Sequence, residues 1–333
     1  MTALVSGQGE ASGVAIAQEV LLQYDKLGKA ERRDFFLYLA TSLHPDPKGV
    51  ATAAQDYIDA ARQELFRRLN LAPAATAVLV DMRRDLSRLL HDHPELRIVD
   101  RDFRHLFYSW FNRGFLVLRT IDWQTPASIL EKIMKYEAVH EIRGWNDLRR
   151  RLDPADRRCF AFFHPALIDE PLIFVEVALM NETPAAIRPV LDEPAAQEAV
   201  RDPTTAVFYS ISNCQEGLKG ISFGSFLIKH VVDELLKAKP SLKTFVTLSP
   251  VPRFARWLDR VIGDDHDNVL TAEDRAAFAH LQDPGWPDED APAEALKGSL
   301  MALAAEYFLR AKAGDGKPVD PVARFHLGNG ARL

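Results

Sequence analysis

The stretch best suited to holding a charged ligand runs Ser210-Ile211-Ser212-Asn213-Cys214-Gln215-Glu216-Gly217-Leu218-Lys219-Gly220-Ile221-Ser222-Phe223-Gly224-Ser225. It leaves a strand-like run, carries three glycines and enters a helix with a serine near its start. A helix N-terminus offers unpaired N–H groups and a partial positive charge, which suit phosphate. Glycines let the backbone come close, and Lys219 adds charge. The pattern is not a P-loop, lacking Gly-Lys-Ser/Thr, nor a dinucleotide fingerprint, lacking G-x-G-x-x-G. Many glycine turns before helices bind nothing, so composition alone leaves phosphate binding and a plain turn both open. Downstream, Lys229, His230, Lys237, Lys239 and Lys243 form a mild basic run. Most of it reads as a solvated helix face, with one or two side chains free to meet phosphates. Taken singly, Ser-Pro after a strand is most often a turn, and a lone histidine is most often structural or exposed.

These residues need a scaffold, and the hydrophobic pattern supplies one. The first half reads as successive helices: Val20, Leu21, Tyr24 and Leu27; Phe35, Phe36, Leu39 and Leu43; Tyr57, Ile58, Ala61, Leu65 and Leu69; Leu79, Met82, Leu86 and Leu90. His44-Pro45-Asp46-Pro47 stops the second of them. Thr125-Pro126 predicts an N-cap with proline at the first helical position of a helix through Lys135, and Asn146 predicts the cap of a shorter one. Beyond Asp153-Pro154 the pattern turns to strands at 159–163, 172–180, 206–211 and 244–248. The run Leu172–Leu179 is almost continuously apolar and predicts a strand buried on both faces. Strand, glycine loop, helix and strand over 206–248 form a crossover, so those two strands should be parallel neighbours. Helices are expected around 254–262, 272–281 and 300–311, with the acidic, proline-rich 283–290 as an exposed loop.

The 333 residues are enough for two domains, with 47% hydrophobic and 26% charged residues as in soluble globular proteins. A net charge of −6 argues against a broad nucleic-acid surface. Two cysteines, Cys159 and Cys214, are too few for a disulfide scaffold or a cysteine-built zinc site. The N-terminus lacks a secretory pattern and no apolar run is long enough for a membrane span, so a cytoplasmic protein is expected, without nucleic-acid or membrane partners.

Several elements, in order along the chain, resemble the malonyl-CoA decarboxylase family. They are Ser109-Trp110-Phe111-Asn112-Arg113-Gly114-Phe115-Leu116; Arg157-Arg158-Cys159 with Glu170-Pro171-Leu172; and Phe208–Ser212 continuing through Gln215, Gly217-Leu218, Gly220, Gly224 and Phe226–Lys229. Leu248-Ser249-Pro250-Val251-Pro252-Arg253-Phe254 resembles its L-S-P-x-P-x-F element, and Pro321–Ala331 its P-V-A-x-F-H-L-x-N-G-A element. The resemblance implies an α+β chain: an N-terminal all-α helical bundle over 1–152, used for self-association as a dimer or tetramer, then an acetyltransferase-like (GNAT-type) mixed α/β domain over 153–333. In that fold two parallel strands splay apart, pantetheine lies in the wedge, and the pyrophosphate sits on the loop and helix between them. The implied coenzyme A-binding residues are Lys219, Gly220, Ile221, Ser222, Phe223, Gly224 and Ser225. The implied catalytic residues are Ser249 and His326, with His164 at a position linked to activity. The family pattern continues past the H-L-x-N-G-A element, whereas this sequence ends at Leu333. Ser222 stands where some members carry an acidic residue. Cys159 matches a position that in some members supports a disulfide between subunits; in a reducing compartment a buried thiol is the default.

The implied reaction takes malonyl-CoA to acetyl-CoA and CO₂. Loss of CO₂ pushes electrons into the thioester, and the resulting enolate must be protonated. The thioester is itself the electron sink, so no metal or organic cofactor is expected; hydrogen-bond donors and a proton source are. Two other readings stand beside this one: an acyl-CoA-dependent N-acyltransferase, which needs an amine site and a base, and a catalytically silent coenzyme A-binding protein.

Overall fold

Helices α1 (Glu10–Lys26), α2 (Lys29–Thr41), α3 (Ala54–Leu69), α4 (Ala75–Leu89) and α5 (Arg97–Trp110) build the N-terminal part of the computed structural model. The structure describes residue 4 and residues 10–42, 54–191, 202–221, 226–263, 270, 271, 274, 278 and 290–333. The stripes read from sequence face one core: Leu21 and Tyr24, Phe36 and Leu39, Leu65 and Leu69, Leu79, Met82 and Leu86 are all buried in it. Helix α5 was absent from the sequence reading, yet Val99, Phe103, Leu106 and Phe107 fill the same core at helical spacing. A buried ion pair ties α3 to α5, Arg62 Nε lying 2.6 Å from Asp102 Oδ2. The Pro-rich stop at 44–47 and the loop at 283–289 lie outside the described residues. So does most of the helix expected at 272–281.

A five-stranded sheet follows in the order β1 (Val117–Ile121), β2 (Arg157–His164), β3 (Leu167–Met180), β4 (Thr205–Asn213) and β5 (Thr244–Thr247). The first three pairings are antiparallel and β4–β5 is parallel, as the crossover pattern requires. Strand β1 corrects the expectation of an all-helical first half. It is an edge strand in which only Ile121 is buried, so its sequence carries no alternation to read. Helices α6 (Ala127–Tyr136) and α7 (Trp145–Leu152) cover one face: Ile129, Ile133 and Leu148 meet Cys159, Ala161, Phe163 and Phe174. Helix α8 (Phe226–Ala238) covers the other, with Leu227, Val231 and Leu235 against Phe160, Phe162, Val175, Val177 and Phe208. Strand β3 is thus buried on both sides, as its apolar run predicts.

Two helix starts differ from expectation by a residue or two. Pro126 itself takes the N-cap position of α6, while the Thr125 hydroxyl accepts the Asp122 N–H at 3.0 Å. Gly144, not Asn146, caps α7, and its φ of 157° lies in the region that favours glycine.

The chain divides into two units, Met1–Leu248 and Ser249–Leu333. The second holds α9 (Phe254–Gly263), α10 (Asp290–Leu309) and α11 (Pro321–Gly328), with Leu258, Val261, Leu296 and Leu303 in its own core. No described helix is long and apolar enough to cross a membrane.

Candidate functional site

In the first unit, β4 and β5 pair from Thr205–Thr244 to Phe208–Thr247, and the Leu248 N–H donates to Phe208 O at 2.9 Å. Strand β4 then runs on through Tyr209–Asn213 beyond this pairing, so the two parallel strands part company. Tyr209 is an extra residue in the ladder, because Glu176 pairs with Ser210 and Val177 with Phe208.

The loop after β4 is fastened to the helices. Gly217 packs so close to α4 that a Cβ there would lie 1.9 Å from Val80 O. The buried Arg83 donates from Nη1 to Gly217 O at 2.7 Å and from Nε to Asp100 Oδ1 at 2.9 Å. The Tyr108 hydroxyl donates to Gly220 O at 3.2 Å. Arg88 pairs with Glu216 at 2.6 Å, but both side chains are exposed and this pair contributes little. Of the residues expected at coenzyme A, Lys219 and Gly220 are exposed at the loop's tip, and Ile221 turns back into the helical core. Gly220 has a φ of 78°, a left-handed conformation that glycine adopts without strain. Ser222, Phe223, Gly224 and Ser225 lie outside the described residues; α8 begins at Phe226.

Ser210 and Ser212 are buried strand residues facing the α6–α7 connection. Ser210 Oγ donates to Glu137, 2.9 Å from Oε1 and 2.8 Å from Oε2, and the Ala138 N–H donates to Ser212 Oγ at 3.2 Å. Glu137 Oε1 also accepts the N–H groups of Val139 and His140. Beside them, Arg151 Nη1 meets the fully buried Glu176 at 2.9 Å. Burial pushes the Glu176 carboxyl up to about 7 against the opposing pull of Arg151.

His164 ends β2 with both ring nitrogens engaged. The Ala166 N–H donates to Nδ1 at 3.1 Å, and Nε2 lies 3.0 Å from Trp110 O. This fixes the neutral tautomer with its proton on Nε2, and burial holds the ring's pKa below the usual histidine range. The ring packs on Phe111, centroid to centroid 4.8 Å, so it joins the β2–β3 turn to the end of α5.

In the second unit, two side chains 77 residues apart meet: Ser249 Oγ lies 2.9 Å from His326 Nε2. Ser249 directly follows the segment after β5, and His326 sits in α11, both half-buried. Burial lowers the His326 pKa, so at neutral pH the ring is neutral and Nε2 can accept the serine proton. Asp320, which the sequence reading passed over, caps α11. Its Oδ1 accepts the N–H groups of Val322 at 2.8 Å and Ala323 at 3.1 Å. The signal was there in Asp320-Pro321, an N-cap residue before proline at the first helical position. Its Oδ2 accepts the Tyr307 hydroxyl at 3.3 Å and the Arg253 N–H at 3.4 Å. Tyr307 is itself held in a ring cluster with Phe254 and Trp257.

Comparison with known proteins places these features in a family context. A family model described as the malonyl-CoA decarboxylase C-terminal domain matches residues 114–333, and one described as the N-terminal domain of the same family matches 42–111. The chain is 33% identical over 314 residues to the mitochondrial malonyl-CoA decarboxylase of Anser anser anser, covering 86% of this chain and 62% of that one. It therefore spans less than two thirds of the length of that curated relative. Among solved structures it is similar to malonyl-CoA decarboxylase from Rhodopseudomonas palustris, with a TM-score of 0.89 and 53% identity over 99% of this chain and 84% of that one. It is also similar to malonyl-CoA decarboxylase from Cupriavidus metallidurans, with a TM-score of 0.75 and 39% identity over 96% and 80% respectively.

Proposed function

The chain belongs to the malonyl-CoA decarboxylase family, and from that premise we propose that it converts malonyl-CoA to acetyl-CoA and CO₂ with Ser249 and His326 as an acid–base pair. The observation that carries this reading is the 2.9 Å hydrogen bond between Ser249 Oγ and His326 Nε2. It joins the only serine of the L-S-P-x-P-x-F element to the only histidine of the P-V-A-x-F-H-L-x-N-G-A element. In the reaction the bond between the α-carbon and the carboxylate breaks and its electrons pass into the thioester. The α-carbon then takes a proton, which the pair supplies and recovers from solvent. Coenzyme A is assigned to the loop Lys219–Ser225 and the start of α8, with pantetheine running where β4 and β5 part. His164, whose nitrogens are both engaged, enters as a positioning residue, not as a proton carrier.

Incubation of the protein with malonyl-CoA tests the assignment: acetyl-CoA and CO₂ are expected in equal amounts, with and without an added amine. Product that forms only with the amine, as an N-acyl compound, would favour the acyltransferase reading. Binding without turnover would favour the silent one.

Gly220→Val should weaken coenzyme A binding at least about tenfold. A Cβ at this position meets open space, so the penalty comes from forcing a β-branched residue into left-handed backbone. Calorimetry with coenzyme A measures it, and native affinity would move the phosphates elsewhere.

The helices before Asp153 are assigned a role in self-association. Exposed apolar side chains such as Leu22, Tyr38 and Leu71 leave surface for a second copy. Light scattering of the intact chain should give a dimer or tetramer at micromolar concentration, and a monomer there ends the idea.

A further inference from the structure

We propose that Asp320 is a positioning residue that sets the Ser249–His326 distance by binding both of the backbones that carry them. The inference rests on the reading of that pair as the acid–base machinery. The carboxylate is 1% exposed and divides its work between its two oxygens. Oδ1 takes the first free N–H groups of α11, those of Val322 and Ala323, and so fixes the start of the helix on which His326 lies one and a half turns further on. Oδ2 takes the Arg253 N–H, at the end of the short Ser249-Pro250-Val251-Pro252 connection, and the Tyr307 hydroxyl. The prolines remove two backbone donors from that connection and restrict its φ angles, so few internal hydrogen bonds can hold it. Its far end is instead held from outside, by Oδ2 and by Arg253 Nη1, which donates to Val319 O at 3.4 Å. Tyr307, 1% exposed and wedged among Phe254, Trp257 and Phe308, gives the carboxylate a rigid backing.

The arrangement differs from a triad in which a carboxylate touches the histidine ring. Asp320 reaches both members through peptide groups. A proton-transfer pair depends steeply on distance, and a displacement of about 1 Å can lower a rate about a hundredfold. One buried carboxylate shared by the serine connection and the histidine helix couples their movements, so neither can drift without the other.

The test is a mutational cycle on the intact chain with malonyl-CoA as substrate. Asp320→Asn keeps an oxygen able to cap α11 but places an amide N–H₂ where Oδ2 accepts the Arg253 N–H. It should fold, lower kcat about tenfold to a hundredfold and leave KM within about twofold. Asp320→Ala should lower kcat further. Combined with Ser249→Ala, neither should slow the residual rate beyond Ser249→Ala alone, because a positioning residue has nothing left to position. A merely structural role would lower the rate by the same factor in both backgrounds. Native kcat in Asp320→Asn, or a loss that multiplies with that of Ser249→Ala, overturns the inference while the pair's role stands. Native turnover in Ser249→Ala and His326→Ala instead overturns the underlying reading. If Asp320→Ala fails to fold, Asp320→Asn and Tyr307→Phe carry the cycle.

Discussion

Ser249→Ala and His326→Ala are each expected to lower malonyl-CoA turnover by about 10²–10⁴-fold while leaving coenzyme A affinity unchanged. The two side chains form one hydrogen-bonded unit, so the double variant should be little slower than either single one. The pH profile carries the same information with a definite sign. Burial disfavours the charged imidazolium, so His326 titrates below the usual histidine range. Above that pKa the ring is neutral and accepts the serine hydroxyl. As the pH falls through it, Nε2 becomes a donor and the pair loses its acceptor. The acid limb of kcat should therefore lie below the ordinary histidine value and vanish in His326→Ala. Native rates in either variant, measured on folded protein with steady-state kinetics, would take that residue out of the mechanism.

Gly217→Ala should have the largest effect on the fold of the loop after β4. The added Cβ would sit 1.9 Å from Val80 O, 2.8 Å from Val80 C and 2.9 Å from Val80 Cγ1. Two of these are backbone atoms of a helix and cannot swing aside, so the loop itself must move. Overpacking of this kind typically costs about 1–3 kcal/mol, and losing the Arg83 bond to Gly217 O adds to it. A thermal melt should fall by several degrees, and coenzyme A affinity should drop with it. The contrast with Gly220→Val separates two reasons for glycine in one loop: close approach at 217, backbone conformation at 220. A Gly217→Ala protein with native melting and native affinity would contradict the packing described here.

Much of the fold was legible because the strongest patterns were simple. The apolar run of β3, the crossover from β4 through α8 to β5 and four of the five N-terminal helices numbered among the described residues each announce themselves by period or length. Helix α5 was readable at Val99, Phe103, Leu106 and Phe107 and was passed over. Strand β1 was not readable, since an edge strand with one buried residue leaves no alternation. For the site, family motifs pointed to Ser249 and His326, but nothing in spacing says that residues 77 apart will touch. Asp320 was visible as a cap; its second bond, to Arg253, depends on tertiary structure alone. The roles of Ser210 and Ser212 were hidden for the same reason, because their partner Glu137 lies 73 and 75 residues before them, in the connection between α6 and α7.

Strand β1 also bears on where the polypeptide can be cut. Its hydrogen-bonding partner is β2, from Val117 opposite Phe163 to Ile121 opposite Cys159. A chain begun at Asp153, at the point where helical sequence gives way to strands, would leave that whole margin of β2 bare. The N–H and C=O groups of Cys159–Phe163 would then face water as an unpaired row, flanked by phenylalanines, which is a template for pairing with another molecule. Such a fragment would gather into aggregates for reasons unrelated to any native assembly, and its apparent size would say nothing about the helices removed. A chain begun ahead of Val117 would carry its own edge strand and keep the margin closed.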